Sequence, residues 1–377
     1  MTGLRYFSFF GATGYAEAAR RYLLGLAKLG FPVTWTPLIR GKGWPLEYEL
    51  FEGCSVGDPD LDPFCNRPIE YDTVLLHTLP AYFPRLMEMV RGKRIAAYTV
   101  WETDRLPNGW AELLRDVELL LVPCEWNREI FKSGGFHSPI EVVPHSLLPS
   151  HAPLPSACDE PEAFTFYSIN TWDDRKAVDR TLASYLEAFT AKDSVRFVLK
   201  TTNRHGSLRV PFTNWHPVQT KWLVKRLWSR YPDPPPLTMI TDQLPNSAIQ
   251  DLHRQGDCYV SLCHSEGWGI GAFDAAASGR PVIMTGFGGQ TDFLPDDLAW
   301  LVRYRMVPTP FRPLRSHEFH HRWAEADTRH GSQLMRHVYE NRLKARQKAA
   351  TLACQLRERY RPEVVAQTLV AALGKHL

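Results

Sequence analysis

The sequence predicts an α/β protein made of two doubly wound domains, each with a mainly parallel sheet. Short apolar runs alternate with segments of helical period along most of the chain. A glycine turn joins the first run to the first helix, and the whole alternation restarts after a Pro- and Ser-rich stretch. The 377 residues exceed a typical domain of roughly 150, and 44% hydrophobic composition with 12 Trp, 14 Tyr and 19 Phe supplies two cores.

Tyr6 to Phe10 reads as the first strand and runs into Gly11-Ala-Thr-Gly14, after which Ala16, Ala19, Leu23, Leu24 and Ala27 recur at helical spacing. Further strands are expected at Phe31–Pro37, Thr73–Leu76, Arg94–Val100, Glu118–Val122 and Glu141–Pro144. The segment from Leu148 to Pro161 has linker chemistry, which places a boundary there: domains over 1–155 and 156–350, with helices over 351–377 packing back on the first domain. Beyond it, strands are expected at Phe164–Ile169, Arg196–Lys200, Thr238–Thr241, Asp257–Cys263 and Pro281–Thr285. Helices are expected at Val178–Phe189, Ser247–Gln255, from about Ala272, over Gln333–Arg361 and over Pro362–Leu373. Phe51–Pro68 and Thr202–Pro236 break the alternation and read as inserted loops.

Charge excludes one broad class of function. Lys and Arg number 44 against 41 Asp and Glu, and a net +3 is too small to carry nucleic-acid binding by bulk electrostatics. Seven cysteines with no C-x-x-C pair argue against a disulfide framework or structural zinc. With no 18-residue apolar run, a cytoplasmic protein is expected, with at most peripheral contact at the inner face of a membrane. Lys221-Trp-Leu-Val-Lys-Arg-Leu-Trp-Ser-Arg230 is the segment suited to such contact. The same pattern also suits a helix that packs Leu223, Leu227 and Trp228 inward and leaves its cations in water.

The segment richest in chemistry is Ser265-Glu266-Gly-Trp-Gly-Ile270-Gly-Ala-Phe-Asp274. It follows an apolar strand directly, and so stands at the carboxyl end of a sheet, where open α/β folds bind ligands. Its glycines expose backbone N–H groups ahead of a helix, a setting that attracts phosphate or sugar hydroxyls. Glu266 can accept hydrogen bonds from vicinal hydroxyls, while Asp274 can cap its helix or bind a second polyol. Taken singly, each feature makes no more than a turn or a cap.

Taken together they resemble the Glu-x7-Glu signature of family 4 retaining glycosyltransferases. Gly11-Ala-Thr-Gly14, Val122–Asn127 through Val142–His145, Trp172-Asp-Asp-Arg175-Lys176-Ala, Gly286–Leu294 and Trp323–Asp327 extend the likeness over nearly the whole chain. The resemblance implies a GT-B fold, with two Rossmann-like domains facing a central cleft, and transfer of a sugar from a nucleoside-diphosphate donor to an unidentified acceptor hydroxyl. It implies that Glu266 binds donor-sugar hydroxyls, that the amides of Gly267, Trp268, Gly269 and Ile270 steady sugar and diphosphate, and that Asp274 meets the ribose. Lys176, with Arg175 beside it, would neutralise the leaving diphosphate, and Gly11 and Gly14 would bring amides to the same phosphates. His77 matches a histidine near the reacting carbon, and Glu102, in a Trp-Glu-Thr form shared by some relatives, an acceptor-side residue. No cofactor or metal is called for, because preorganised cations and amides meet the charge of the departing diphosphate. Asp58-Pro-Asp60 and Asp60-Leu-Asp62 imitate a metal motif, but Pro59 and Pro63 make them turns.

The sequence departs from the family in three places. Asp274 is one methylene shorter than Glu, Asn170 and Thr171 stand where relatives carry an arginine, and Trp101 replaces a second histidine. The first two keep a non-catalytic sugar-nucleotide binder open as the alternative. A dehydrogenase lacks the full G-x-G-x-x-G fingerprint, and a phosphorylase lacks a lysine-anchored cofactor site.

Overall fold

The computed structural model describes residues 1–41, 48–148, 163–209, 217–310 and 320–377. Apart from Leu148, the expected linker and its boundary lie outside the described residues. The chain forms two compact units: one takes Met1–Ser150 together with Glu358–Leu377, the other His151–Pro310 with Phe319–Arg357.

The first unit begins with β1 (Leu4–Phe9), α1 (Gly14–Lys28), β2 (Val33–Arg40), β3 (Tyr48–Leu50) and β4 (Thr73–His77). It continues through α2 (Phe83–Met89), β5 (Arg94–Tyr98), α3 (Trp110–Leu113), β6 (Leu119–Val122), α4 (Glu125–Ser133) and β7 (Ile140–Val142). The sheet order is β3-β2-β1-β4-β5-β6-β7, parallel throughout except that β3 runs antiparallel to β2. β4 and β6 are buried along their whole length, which is why they read as unbroken apolar runs rather than alternating ones. Thr13 caps α1, its hydroxyl accepting from the Ala16 amide at 3.1 Å.

The inserted segment after β3 is a loop, as its Pro and Asp content predicts. Asp62 accepts from the Ser55 hydroxyl at 2.6 Å and the Val56 amide at 2.7 Å, while Asp58 and Asp60 both pair with Arg20 of α1. These carboxylates staple the loop to the helix. Among the described residues no group of three or more His, Cys, Asp or Glu is arranged to hold a metal ion.

The second unit holds β8 (Phe164–Ile169), α5 (Val178–Ala188), β9 (Val195–Lys200), β10 (Arg204–Arg209), β11 (Pro217–Gln219), α6 (Thr220–Trp228), β12 (Leu237–Ile240), α7 (Asn246–Gln255) and β13 (Cys258–Ser261). Then come α8 (Ile270–Ala277), β14 (Val282–Thr285), β15 (Trp300–Val302), β16 (Tyr304–Pro308), β17 (Arg322–Ala326), α9 (Thr328–Glu340) and α10 (Arg342–Arg359). Six parallel strands stand in the order β12-β9-β8-β13-β14-β15, beside the antiparallel hairpins β10–β11 and β16–β17. Phe164, Phe166, Tyr185, Phe197 and Val260 centre its core.

Three elements correct the sequence reading. The insertion after β9 is not all loop: it holds a hairpin and α6, whose Leu223, Leu227 and Trp228 pack on the core while Lys221, Trp222, Lys225 and Arg226 are exposed. The single helix expected over Gln333–Arg361 is two, broken at Asn341, which leaves helical geometry. The hairpin β16–β17 was not expected at all. The last helix, α11 (Pro362–His376), lies on α1: a Cβ on Gly25 would come within 2.8 Å of the Pro362 carbonyl oxygen. Lys28 pairs with Glu363 at 2.8 Å, and Glu141 accepts from Lys375 at 2.7 Å and His376 at 2.6 Å.

Candidate functional site

In each sheet the strand order reverses beside the first strand, between β1 and β4 and between β8 and β13. Loops leaving such neighbouring strands diverge and open a crevice at their carboxyl ends. In the second unit those loops hold Asn170–Ala177 and Leu262–Gly269. Asn170 ties the two strand ends together, its amide nitrogen donating to Ser168 Oγ at 2.9 Å and Ser261 Oγ at 3.1 Å.

The chain then turns back toward β13. Asp173 accepts from the Lys176 amide at 3.0 Å, and Ala177 takes the left-handed conformation (φ 43°, ψ 46°) as it enters α5. A non-glycine residue pays about 1–2 kcal/mol for that geometry, and here it aims Arg175 and Lys176 at Glu266. Arg175 Nη1 donates to Glu266 Oε2 at 3.0 Å and to the Ser265 carbonyl at 2.7 Å, while Lys176 Nζ pairs with Glu266 Oε1. One carboxylate, with a side chain only 7% exposed, thus holds two cations, one on each oxygen. Burial pushes the Glu266 carboxyl up, but Lys176 and Arg175 outweigh it and hold it below its ordinary value.

Gly269 follows with φ +92°, a left-handed turn that an L side chain resists, and α8 starts at Ile270. No side chain caps this helix, and its first amides, from Gly269 to Ala272, precede the first intrahelical bond, which runs from the Phe273 amide to the Gly269 carbonyl. Trp268 is a donor-site candidate through its backbone alone, because its ring is buried against Phe273 and Phe293 at centroid distances of 4.9–5.2 Å. Asp274 lies in the second turn of α8, 4% exposed, too deep to cap it. The Glu266 carbonyl accepts from the Gly289 amide at 2.8 Å, which links this loop to the Gly286–Leu294 segment.

In the first unit, Gly11 and Gly14 open the turn from β1 into α1. Gly11 has φ +121°; at Gly14 a Cβ would meet nothing within 4 Å, so packing inside the unit does not demand a glycine there. His77 ends β4 and is 1% exposed, hydrogen-bonded through Nδ1 to the Tyr6 hydroxyl at 2.6 Å and ringed by Tyr15, Tyr22 and Tyr98. Burial, with His145 nearby, keeps its pKa well below the ordinary imidazole value. Tyr15 bonds Thr99 Oγ1 at 2.9 Å, and burial together with the Glu102 charge helps push its hydroxyl up to about 12, although the Thr99 and Val100 bonds oppose the rise. Trp101 faces inward, edge-to-face with Trp110 at 4.7 Å, its indole donating to Thr103 Oγ1 at 2.6 Å. It is part of the core of the first unit.

Comparison with known proteins follows the same outline. Residues 237–369 match a family described as family 4 glycosyltransferases in conflict systems. Sucrose-phosphate synthase from Thermosynechococcus elongatus is similar over 100% of this chain and 99% of its own, at TM-score 0.69 and 11% identity. Anabaena HepE in complex with UDP-glucose is similar over 100% of both chains, at TM-score 0.65 and 10% identity. The fold is that of the GT-B glycosyltransferases. A third GT-B relative, the E. coli trehalose-6-phosphate structure bound with UDP-2-fluoro glucose, covers 99% of both chains at TM-score 0.64 and 12% identity. No curated protein sequence matches the chain.

The matched stretch of this GT-B chain includes Glu266 and Asp274 and leaves Arg175 and Lys176 outside it. The structure brings Arg175, Lys176 and Glu266 together in one unit, and Gly11, Gly14, His77 and Glu102 belong to the other. Two residues had no individual role in the sequence reading: His264, which carries the loop's side contact to β17, and Gln290, within the Gly286–Leu294 motif, whose side-chain amide donates to the Thr285 carbonyl at 2.9 Å. Only the Trp323–Asp327 motif hinted at the first. No helix among the described residues is long and apolar enough to cross a membrane.

Proposed function

We propose that this chain is a retaining glycosyltransferase that uses a nucleoside-diphosphate sugar and an acceptor hydroxyl. The supporting observation is the cluster at the second switch point, one buried carboxylate with a cation on each oxygen beside the uncapped start of α8. HepE and the E. coli relative, whose folds this chain shares, hold a UDP-sugar or its analogue.

In this reading Glu266 orients the donor ring by accepting from its hydroxyls. Arg175, Lys176 and the amides of Gly267 to Ile270 take the diphosphate charge as the glycosidic bond breaks. Glu266 holds both cations in place beforehand, so little reorganisation accompanies charge development, which is where preorganised groups gain most. No metal is assigned a role. Asp274 faces the ribose, the amides at Gly11 and Gly14 assist the phosphates, and neutral His77 stands near the reacting carbon. No side chain is assigned as nucleophile; a front-face displacement is inferred, in which the leaving phosphate oxygen takes the acceptor proton. The first unit, with Glu102, serves the acceptor. The protein is assigned to the cytoplasm, and any contact with an anionic membrane to the exposed cations of α6.

The test is incubation with nucleoside-diphosphate sugars, following release of the nucleoside diphosphate and transfer or hydrolysis of the sugar. Turnover with retained anomeric configuration supports the reading. Binding without turnover for every acceptor offered would favour the non-catalytic alternative, and full activity in Glu266→Ala would remove Glu266 from the mechanism.

A further inference from the structure

The loop that presents Glu266 is held at each residue from Leu262 to Glu266, and one side chain takes part that no role above uses. The Leu262 amide donates to Thr181 Oγ1 at 2.9 Å, and the Cys263 carbonyl accepts from Thr285 Oγ1 at 2.6 Å. The His264 amide donates to the Arg175 carbonyl at 2.8 Å, and the His264 carbonyl accepts from the Ala324 amide at 3.1 Å. Its ring adds two contacts of its own. Nδ1 donates to the Ala324 carbonyl at 2.5 Å, and the imidazole lies flat on the Trp323 indole, with an interplanar angle of 3° and centroids 4.4 Å apart. Both residues are buried, and both line a cavity of about 810 Å³ between α5, α6 and the β16–β17 hairpin.

His264 is thus clamped between the segment that carries the two cations, through Arg175, and the hairpin, through Ala324 and Trp323. Two positions further on stands the carboxylate that pairs with those same cations. The hairpin β16–β17 belongs to no sheet of the parallel core, so the doubly wound fold does not require it. It is itself fixed to α5 at the next position of β17, where Glu325 pairs with Arg180. A flat stack and a bond along one ring edge fix a side chain in orientation as well as position, which an aliphatic contact does not.

We propose that His264 is a positioning residue: its stack on Trp323 and its bonds to Ala324 set the place of Glu266 between Arg175 and Lys176, so that the β16–β17 hairpin governs donor-sugar orientation from behind the loop. This rests on the reading of Glu266 as the sugar-orienting carboxylate.

The experiment compares wild type with His264→Ala, which loses stack and bond, and His264→Phe, which keeps a stacking ring. The kinetic probe is UDP-glucose hydrolysis, with UDP binding measured by calorimetry. A donor-independent probe is the Glu266 carboxyl titration, followed by 13C NMR and assigned with Glu266→Gln. In His264→Ala, kcat is expected to fall on the order of tenfold to a hundredfold, as a misplacement near 1 Å does. UDP affinity changes little, the Glu266 titration moves up toward the ordinary carboxylate value, and His264→Phe recovers most of each. An unchanged kcat and titration in His264→Ala would overturn the proposal. So would equal losses in both variants that follow their melting temperatures, since that is the mark of general destabilisation. Should wild type hydrolyse no UDP-glucose and bind no UDP, the donor reading fails, while the titration still decides whether His264 positions the carboxylate.

Discussion

Glu266→Gln removes one charge and almost no volume from the cluster that carries the functional reading. At 3.0 Å, and at an effective dielectric of about 20, the Arg175–Glu266 attraction alone is roughly 5.5 kcal/mol before desolvation is subtracted. Breaking a buried pair by removing one partner costs about 3–5 kcal/mol. Arg175 and Lys176 retain 14% and 18% exposure and can recover some hydration, which sets the expectation at the lower end, about 3 kcal/mol. For a unit of this size that is a fall in melting temperature of about 6–12 °C. Activity should fall further, by about 100-fold or more in sugar release, since the amide has one acceptor oxygen and a donor where the carboxylate has two charged acceptor oxygens. UDP affinity should stay the same or rise, because both cations lose their internal partner. Calorimetric melting, UDP titration and hydrolysis of the best donor are measured on one preparation. Wild-type stability together with wild-type hydrolysis would refute the reasoning; a loss of UDP affinity equal to the loss of hydrolysis would refute the division of labour between carboxylate and cations.

Ala177→Gly should raise stability by up to about 1 kcal/mol, the relief of a left-handed Cβ less the greater freedom of glycine when unfolded; urea denaturation that places the variant below wild type would count against strain at this turn. Gly25→Val drives a side chain into the Pro362 carbonyl, so α11 must shift at a cost of about 1–3 kcal/mol, visible as earlier hydrogen exchange of residues 362–376. Acid should weaken the fold in two stages. His77 and His264, both held below the ordinary imidazole value chiefly by burial, stay neutral while the unfolded chain takes up protons, so stability is full above pH 6.5 and declines below it. The slope is up to about 1.4 kcal/mol per pH unit for each such histidine. Glu266, Glu141 and Glu363, held below 4.5, contribute stability that is present above that pH and lost as pH falls through their folded values. Urea midpoints that are flat between pH 8 and 5 would contradict the first stage.

The parallel cores were legible because buried strands announce themselves locally. Phe164–Ile169 matches to the residue, and Leu119–Val122 and Val282–Thr285 each begin one residue later than expected. The hairpin β16–β17 was not legible, since its strands pair Tyr304 with Ala326 across a gap that no local periodicity spans. Asn341 broke an apparently continuous helix for a similar reason: a tertiary turn overrode a good helical pattern. The candidate site divides along the same line. Glu266 and the glycines around it declare themselves in sequence, because a strand, a glycine turn and a helix follow one another there. That Arg175 and Lys176 share that one carboxylate, and that His264 rests on Trp323, depends on segments 59 to 91 positions apart meeting at a sheet's end.

Native mass spectrometry with a panel of nucleoside-diphosphate sugars tests the central claim most directly. Wild type is expected to hold one of them, to release its nucleoside diphosphate over time, and to keep the diphosphate but lose the cleavage in Glu266→Gln. A protein that binds no sugar nucleotide in the panel, or one that cleaves it equally well without the Glu266 carboxylate, would contradict the account.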